Sequence, residues 1–483
     1  MTTSAAGTAR PVNPGAILLI ASGATFVAFL DTTVVNVGFN EIQSDFPSES
    51  IANMTWLVTA YGVFFAALLT MAGRLADVIG RRKLFLLSVG AFTLSSALAA
   101  AAPNFATLIV ARAVQGTAAA GMIPAALGLI LFNTPAERRA AAIGTWGAAG
   151  SLAAAVAPSL GAGLIEATGW RAIFAINIPF GILMLLGTVR SVHADEPSGR
   201  PLPDPLGTAA FTIGIASVVL GLSEGETWGW DSGRVLALLI GGGVLTVFAI
   251  ASSARRGENH KRPPALELDL YRNSRYALSG LGSAFLGASL YTWLLSGPIF
   301  LAAFWHYDVL EVGLAVTPGA LTSAISSIVV GRKVKPQHQG MAVLIGASIF
   351  AVVCAAMAFT LGTEPEFMKI WLWVSIFGGL GVGAALTGLT ALSAAAVPPL
   401  RFSSGTALTM TARQLGGSIG VAAMAILLSI HRDDPLDPML TVFGFCAVTA
   451  VVAALTGLAV HFAPKPAAAQ GQPTQATAAA KEQ

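Results

Sequence analysis

The chain is 483 residues long, 55% apolar and only 11% charged, with a mean hydropathy of +0.73. An average soluble domain is about a quarter charged, so the composition excludes the roughly three soluble domains that this length would otherwise suggest. The net charge of +3 is the small difference between 27 basic and 24 acidic residues, and their placement carries more information than their sum.

A membrane-crossing helix needs about 20 apolar residues, and fourteen such stretches follow one another along the chain. They centre near Phe26, Phe64, Phe92, Ala120, Leu152, Leu183, Ile215, Gly242, Leu286, Ser323, Ala351, Gly381, Val421 and Ala450. None shows the period-two alternation of a barrel strand. The first, from about Ala16 to Phe39, has no small-residue cleavage site and is longer than the ~7–15-residue core of a signal peptide, so it reads as a retained helix. The expected fold class is an all-α membrane protein. A short N-terminus, 1–13, precedes six spans over 14–192. A linker with a two-span insert occupies 193–262, six more spans fill 263–463, and an Ala/Gln/Pro/Thr-rich tail, 464–483, is expected to be disordered.

Fourteen spans put both termini on one side. That side collects 21 of the 27 Lys and Arg, including Arg10, the run Arg74 to Lys83, Arg138, Arg139 and the stretch Arg255 to Arg275. The positive-inside rule then places both termini in the cytoplasm of a multi-pass protein of the cell membrane. Cys354 and Cys446 sit deep in apolar stretches and read as packing residues. The chain has no GxxxxGK phosphate loop and no HExxH pair, and the glycine run Gly378 to Gly388 lies inside a span. No cofactor, metal or nucleic acid is expected.

What remains are the charges inside the spans. Asp31 lies in the first, within LDTTVVNV, and Arg112 in the fourth, within ARAVQGTAAAG. Ionisable groups at such depth cost ~2.5–3.5 kcal/mol or more and mark substrate or ion paths, with a helix–helix staple as the plainer alternative. Arg112, Gln115, Gly116 and Ala119 share one helix face. Whether Asp31 and Arg112 meet is left open by the sequence. Arg413, in the thirteenth span, reads as an arginine that snorkels to the cytoplasmic interface. Trp293, Phe300 and Phe304 are candidates to line an apolar cavity, although single aromatics in spans more often face lipid or sit in the core. Between the second and third spans the loop GRLADVIGRRK, Gly73 to Lys83, sets a single acid, Asp77, among basic residues, an arrangement suited to an ion pair or a helix N-terminus.

This loop resembles the GxLaDrxGrk signature of the major facilitator superfamily. LDTTVVNV and LIVARAVQG resemble the first- and fourth-helix motifs of its drug:proton antiporters. GWRAIFAINIPFG, Gly169 to Gly181, and TARQLGGSIGVA, Thr411 to Ala422, resemble patterns of the fourteen-span branch. The resemblance implies two six-helix bundles, alternating access, and export of small molecules driven by protons as the coupling ion. By the same resemblance, Asp31, Arg112 and Gln115 belong to proton coupling and substrate recognition. Gly73, Asp77, Gly80 and Arg81 form a latch between the halves, with Glu137 as a third charged member. Asp77 would face the start of the thirteenth helix near Ser404 and Gly405. Pro158 and Gly161 keep part of a GxxxGPxxGG antiporter motif on the fifth helix, where Ala153, Ala157 and Ala162 replace glycines. The second-half loop GRKVKPQHQG, Gly331 to Gly340, keeps the basic residues and lacks the acid.

The expected function is therefore a drug:proton antiporter for small amphipathic compounds, working in lipid as a monomer. A symporter importing a metabolite on the same fold is the alternative. A membrane-embedded enzyme is disfavoured, because all six histidines lie in loops or at span ends.

Overall fold

The computed structural model describes residues 13–193, 201–256, 262–429 and 436–463. The N-terminal stretch before Asn13 and the tail 464–483 lie outside the described residues. Among the described residues there is no strand, and fourteen helices are long and apolar enough to cross a bilayer. They are α1 (Pro14–Val37), α2 (Ala52–Ile79), α3 (Arg81–Ala100), α4 (Phe105–Phe132), α5 (Ala136–Thr168), α6 (Ala172–Ser191), α7 (Pro205–Trp228), α8 (Gly233–Arg255), α9 (Ser274–Phe304), α10 (Val309–Lys333), α11 (Pro336–Thr360), α12 (Phe367–Ala395), α13 (Pro399–Ser429) and α14 (Leu436–Phe462). At 1.5 Å per residue even the shortest reaches ~30 Å, the thickness of a hydrocarbon core.

Helix starts follow local chemistry. Asn13 Oδ1 accepts from the N–H groups of Gly15 and Ala16 at 3.0 and 3.2 Å, with Pro14 opening α1. Asp204 and Pro205 repeat the arrangement at α7, where Gly207 N donates to Asp204 at 2.9 Å. Asp308 and Glu311 cap α10 reciprocally, at 2.8 and 3.0 Å. Such caps satisfy N–H groups that the first turn leaves without partners. The turn from α2 to α3 is a single residue, Gly80, at φ 102°, a conformation that a side chain disfavours.

Helices α1–α6 form one bundle and α9–α14 a second, with α7 and α8 inserted between them in sequence. The halves meet along two seams, α5 against α10 and α2 against α13, and α7 packs on α8, α2 and α13. The α5–α10 seam is built from small residues over its length. A Cβ at Gly144 would stand 3.2 Å from the Gly331 Cα, Ser151 and Ser323 share a hydrogen bond of 3.0 Å, and a Cβ at Gly313 would stand 2.6 Å from the Pro158 Cβ. Small residues let backbones approach, which is the main source of helix association in lipid. Outward faces carry exposed apolar side chains such as Leu94 and Phe359.

The second bundle has an aromatic core at one end. Phe300 is fully buried, parallel to Trp371 at 6.1 Å and edge-on to Trp305 and Phe443. Phe300 therefore takes the core position rather than the cavity wall: its ring sits inside the bundle, where aromatic neighbours replace lipid. Phe304 stacks on Phe300 at 5.3 Å, and Trp293 leans on Phe350 and donates from Nε1 to Met357 Sδ at 3.2 Å.

Candidate functional site

Two polar clusters stand in this apolar scaffold. The first lies wholly within the first bundle, between α1, α3, α4 and α6. Asp31, Arg112, Gln115, Ser96 and Asn177 are all fully buried. Arg112 Nη1 meets Asp31 Oδ2 at 2.5 Å, so the two charges form a direct ion pair. Asp31 Oδ1 accepts from Asn177 Nδ2 at 2.7 Å and from Gln115 Nε2 at 3.1 Å. Gln115 also donates to Ser96 Oγ at 2.8 Å and accepts from Arg112 Nη1 at 2.9 Å. Arg112 Nε donates to the Leu57 carbonyl at 2.8 Å, and its guanidinium lies over the Tyr61 ring, 4.6 Å from the centroid.

The local sequence explains the convergence. Arg112 and Gln115, one turn apart on α4, present charge and amide on the same face. The Cβ position of Gly116 on that face is filled by the Tyr61 backbone of α2, with its Cα 3.0 Å away, so a larger residue would push α2 off Arg112. A buried ion pair repays its desolvation only when its remaining lone pairs and protons are also satisfied. Here Asn177, Gln115 and the Leu57 carbonyl do most of that work, while Arg112 Nη2 and Asn177 Oδ1 are left without a hydrogen-bond partner among the described residues. At ~1.5 Å per residue Asp31 lies about 9 Å from the Val37 end of α1, about as far from that end as from the middle of the helix. Asn177 and Ser96 were not singled out from the sequence. Asn177 stands in the GWRAIFAINIPFG hairpin, where a lone amide opening an apolar helix was the available signal; Ser96 carried none.

The second cluster joins the halves at the opposite end of α2. Asp77 Oδ1 accepts from Arg81 Nη2 and Nε at 2.8 and 3.1 Å. Its two oxygens also take the first free N–H groups of α13, Ser404 N at 2.8 Å and Ser403 N at 3.3 Å. A carboxylate at a helix N-terminus is stabilised by both the unpaired N–H groups and the helix dipole. Arg81 donates further to the Pro399 carbonyl at 2.8 Å and lies over Phe132 at 4.8 Å. Gly73 faces Ala407, and a Cβ there would stand 2.6 Å from the Ser403 carbonyl oxygen. Farther toward the middle of the seam, Thr70 and Thr411 share a hydrogen bond of 2.6 Å.

Glu137 is not part of this cluster. It lies exposed on the 3-10 turn that opens α5, where its carboxylate keeps its solvation. The other acid at the seam is Glu267, from the segment between the insert and α9. It pairs with Arg74 at 2.5 Å, accepts from Ser404 Oγ at 2.6 Å and stands 3.6 Å from Arg401. Arg401 also reaches Asp269 at 2.6 Å. Arg413 does not snorkel. The helix that carries it begins at Pro399, about 20 Å away at ~1.5 Å per residue, and its Cγ packs where a Cβ of Gly287 would lie, 3.0 Å off. Pro158 and Gly161 lie on different faces of α5: Pro158 against Gly313 of α10, and Gly161 against Val34 of α1, 2.6 Å from its virtual Cβ. Ala153 and Ala157 are fully buried against α1.

At the end away from the Asp77 cluster, Asp45 accepts from Trp170 Nε1 and Arg171 Nη1, both at 2.8 Å. These hydrogen bonds, the indole first, hold its carboxyl below the ordinary 3.8.

Comparison with known proteins places these features in a family. Residues 21–421 match the Major Facilitator Superfamily. The chain is 33% identical over 433 residues to the puromycin resistance protein pur8 of Streptomyces alboniger, covering 86% of this chain and 84% of that one. It is 30% identical to the methylenomycin A resistance protein of Streptomyces coelicolor, covering 89% and 88%. Among solved structures, the human organic anion transporter MFSD10 (TETRAN) shares the fold with a TM-score of 0.67 at 14% identity, over 93% of this chain and all of that one.

Proposed function

The chain belongs to the Major Facilitator Superfamily, and on that premise we propose that it is a drug:proton antiporter. It carries small amphipathic compounds out across the cell membrane by alternating access. The latch end is cytoplasmic, as are both termini; protons are the coupling ion, no other cofactor is used, and the working unit is a monomer in lipid. The resistance proteins among its relatives, named for puromycin and methylenomycin A, support antibiotics as the substrate class.

The observation that carries this reading is the buried Asp31–Arg112 pair. An arginine keeps its proton under all working conditions, so Asp31 is the group that can change charge. A proton on Asp31 Oδ2 turns the ion pair into a neutral acid beside a cation and weakens the bond that ties α1 to α4. Arg112 is then free to shift over Tyr61. Tyr61 lies near Tyr291 of α9, which is hydrogen-bonded to Gln414 of α13. A change at Asp31 thereby reaches the space between the bundles, although the carboxylate itself is sealed from it with the latch closed.

The test uses proteoliposomes with a pH-sensitive dye inside, an imposed pH gradient, and a panel of lipophilic cations and antibiotics. A compound that provokes proton movement in the parent should provoke none in Asp31→Asn. Coupling of equal strength in the variant would remove Asp31 from the proton path, and substrate and proton moving in the same direction would replace export with import.

A further inference from the structure

A second carboxyl is buried inside a span, outside both clusters. Glu224, near the Trp228 end of α7, is 1% exposed. Its Oε2 has no hydrogen-bond partner among the described residues, and its neighbour on α2 is the hydroxyl of Thr59. The helix turns it inward by its own periodicity, since Ser223, Glu226 and Thr227 on either side are exposed. The turn after α7 closes over this region: Gly229 has φ 85°, and the Trp230 ring fills the space that a Cβ at Gly225 would take.

Among the described residues no cation comes to meet it. On α2 the first charged residue is Arg74, about 22 Å from Thr59 at ~1.5 Å per residue. On α8 the near charge is Arg234, which is exposed, as are Asp231 in the turn and Glu226 on α7 itself. On α13 the charges are Arg401 at the latch and Arg413, which packs on α9. An ionised carboxylate buried without a counter-charge is far costlier than a neutral acid with one hydrogen bond. Position adds a second argument. Thr59 and Tyr61, two residues apart on α2, look to different sides, one to Glu224 and the other to Arg112. Helix α7 packs on α2 of the first bundle and α13 of the second, so it cannot keep both contacts when the halves move.

We propose that Glu224 is a second proton-carrying carboxyl of the transporter, on the inserted helix pair, sealed with its proton against α2 and opened to water at that end when α2 and α7 part. On opening, the O–H bond breaks, the proton passes to water and the carboxylate is hydrated; on closing, a proton is taken up again. This rests on the reading that export is proton-driven, but the first measurement does not need transport.

Infrared spectra of reconstituted protein at neutral pH should contain a protonated-carboxyl C=O band that is missing in Glu224→Gln, displaced in Glu224→Asp and in Thr59→Val, and retained in Asp31→Asn. In liposomes, Glu224→Gln should keep substrate counterflow without a gradient within twofold of the parent, while export driven by a pH gradient falls about tenfold. A Glu224→Gln spectrum identical to the parent's overturns the proposal, as does gradient-driven export within twofold of the parent. If Asp31→Asn leaves coupling intact while the Glu224 band is present, the Asp31 reading fails and this one stands.

Discussion

Replacing Asp77 by asparagine tests whether the latch holds the two halves closed at one end. The carboxylate takes two bonds from Arg81 and two backbone N–H groups at the start of α13. Asparagine keeps one acceptor oxygen, loses the charge, and turns an NH2 toward donors. A charge at a helix N-terminus contributes about 0.3–1 kcal/mol, up to ~2 when partly buried, and a hydrogen bond to a charged group ~1.5–3. Arg81 retains the Pro399 carbonyl and the Phe132 ring, and Glu267 still ties Arg74 to Ser404. The net loss is therefore about 2–3 kcal/mol. At ~1.4 kcal/mol per decade, the ratio of closed to open latch should fall roughly 30- to 150-fold. Spin labels at Ala136→Cys and Gln337→Cys, exposed on the two halves at that end, report the opening as a longer distance population. The native Cys354 and Cys446 are buried and do not compete for label. An unchanged distance distribution in Asp77→Asn would refute the latch.

Gly73→Val should abolish export while leaving the folded protein intact by size-exclusion and thermal shift, because its Cβ would press on the Ser403 carbonyl oxygen 2.6 Å away and the seam could not close. Export within twofold of the parent would show that the seam yields. At the other end, the depressed Asp45 contributes stability that is complete above the ordinary 3.8 and lost as pH falls through its lowered value. The Tm difference between the parent and Asp45→Asn should hold constant from neutral pH down to about 4 and close below it; a gap that grows on acidification would contradict this sign.

Much of this was legible because hydropathy, basic-residue placement and short motifs each depend on local sequence. The fourteen helices follow from runs of apolar residues, and the Asp77 loop follows from one acid in a basic turn. What was not legible depends on pairings across the fold. Asn177 meets Asp31 only because α6 docks on α1, and Glu267 enters the latch from a segment whose path no periodicity encodes. Arg413 was misjudged because the proline turn at Pro398 starts α13 earlier than its apolar run suggests, which puts the arginine at mid-span. Glu224 sits in a polar turn of sequence, SEGETW, that carries no hydropathy signal of burial, yet the helix continues through it to Trp228.

The Asp31–Arg112 pair has an electrical consequence. While intact, it contributes no net charge to the first bundle, and its motion within the membrane does no work against the transmembrane voltage. One added proton leaves a full positive charge, and each elementary charge moved through 100 mV exchanges about 2.3 kcal/mol with the field. Voltage thus acts on the loaded form of this bundle and is nearly blind to the empty one, so a membrane potential and a pH gradient of equal energy should drive different steps of the cycle.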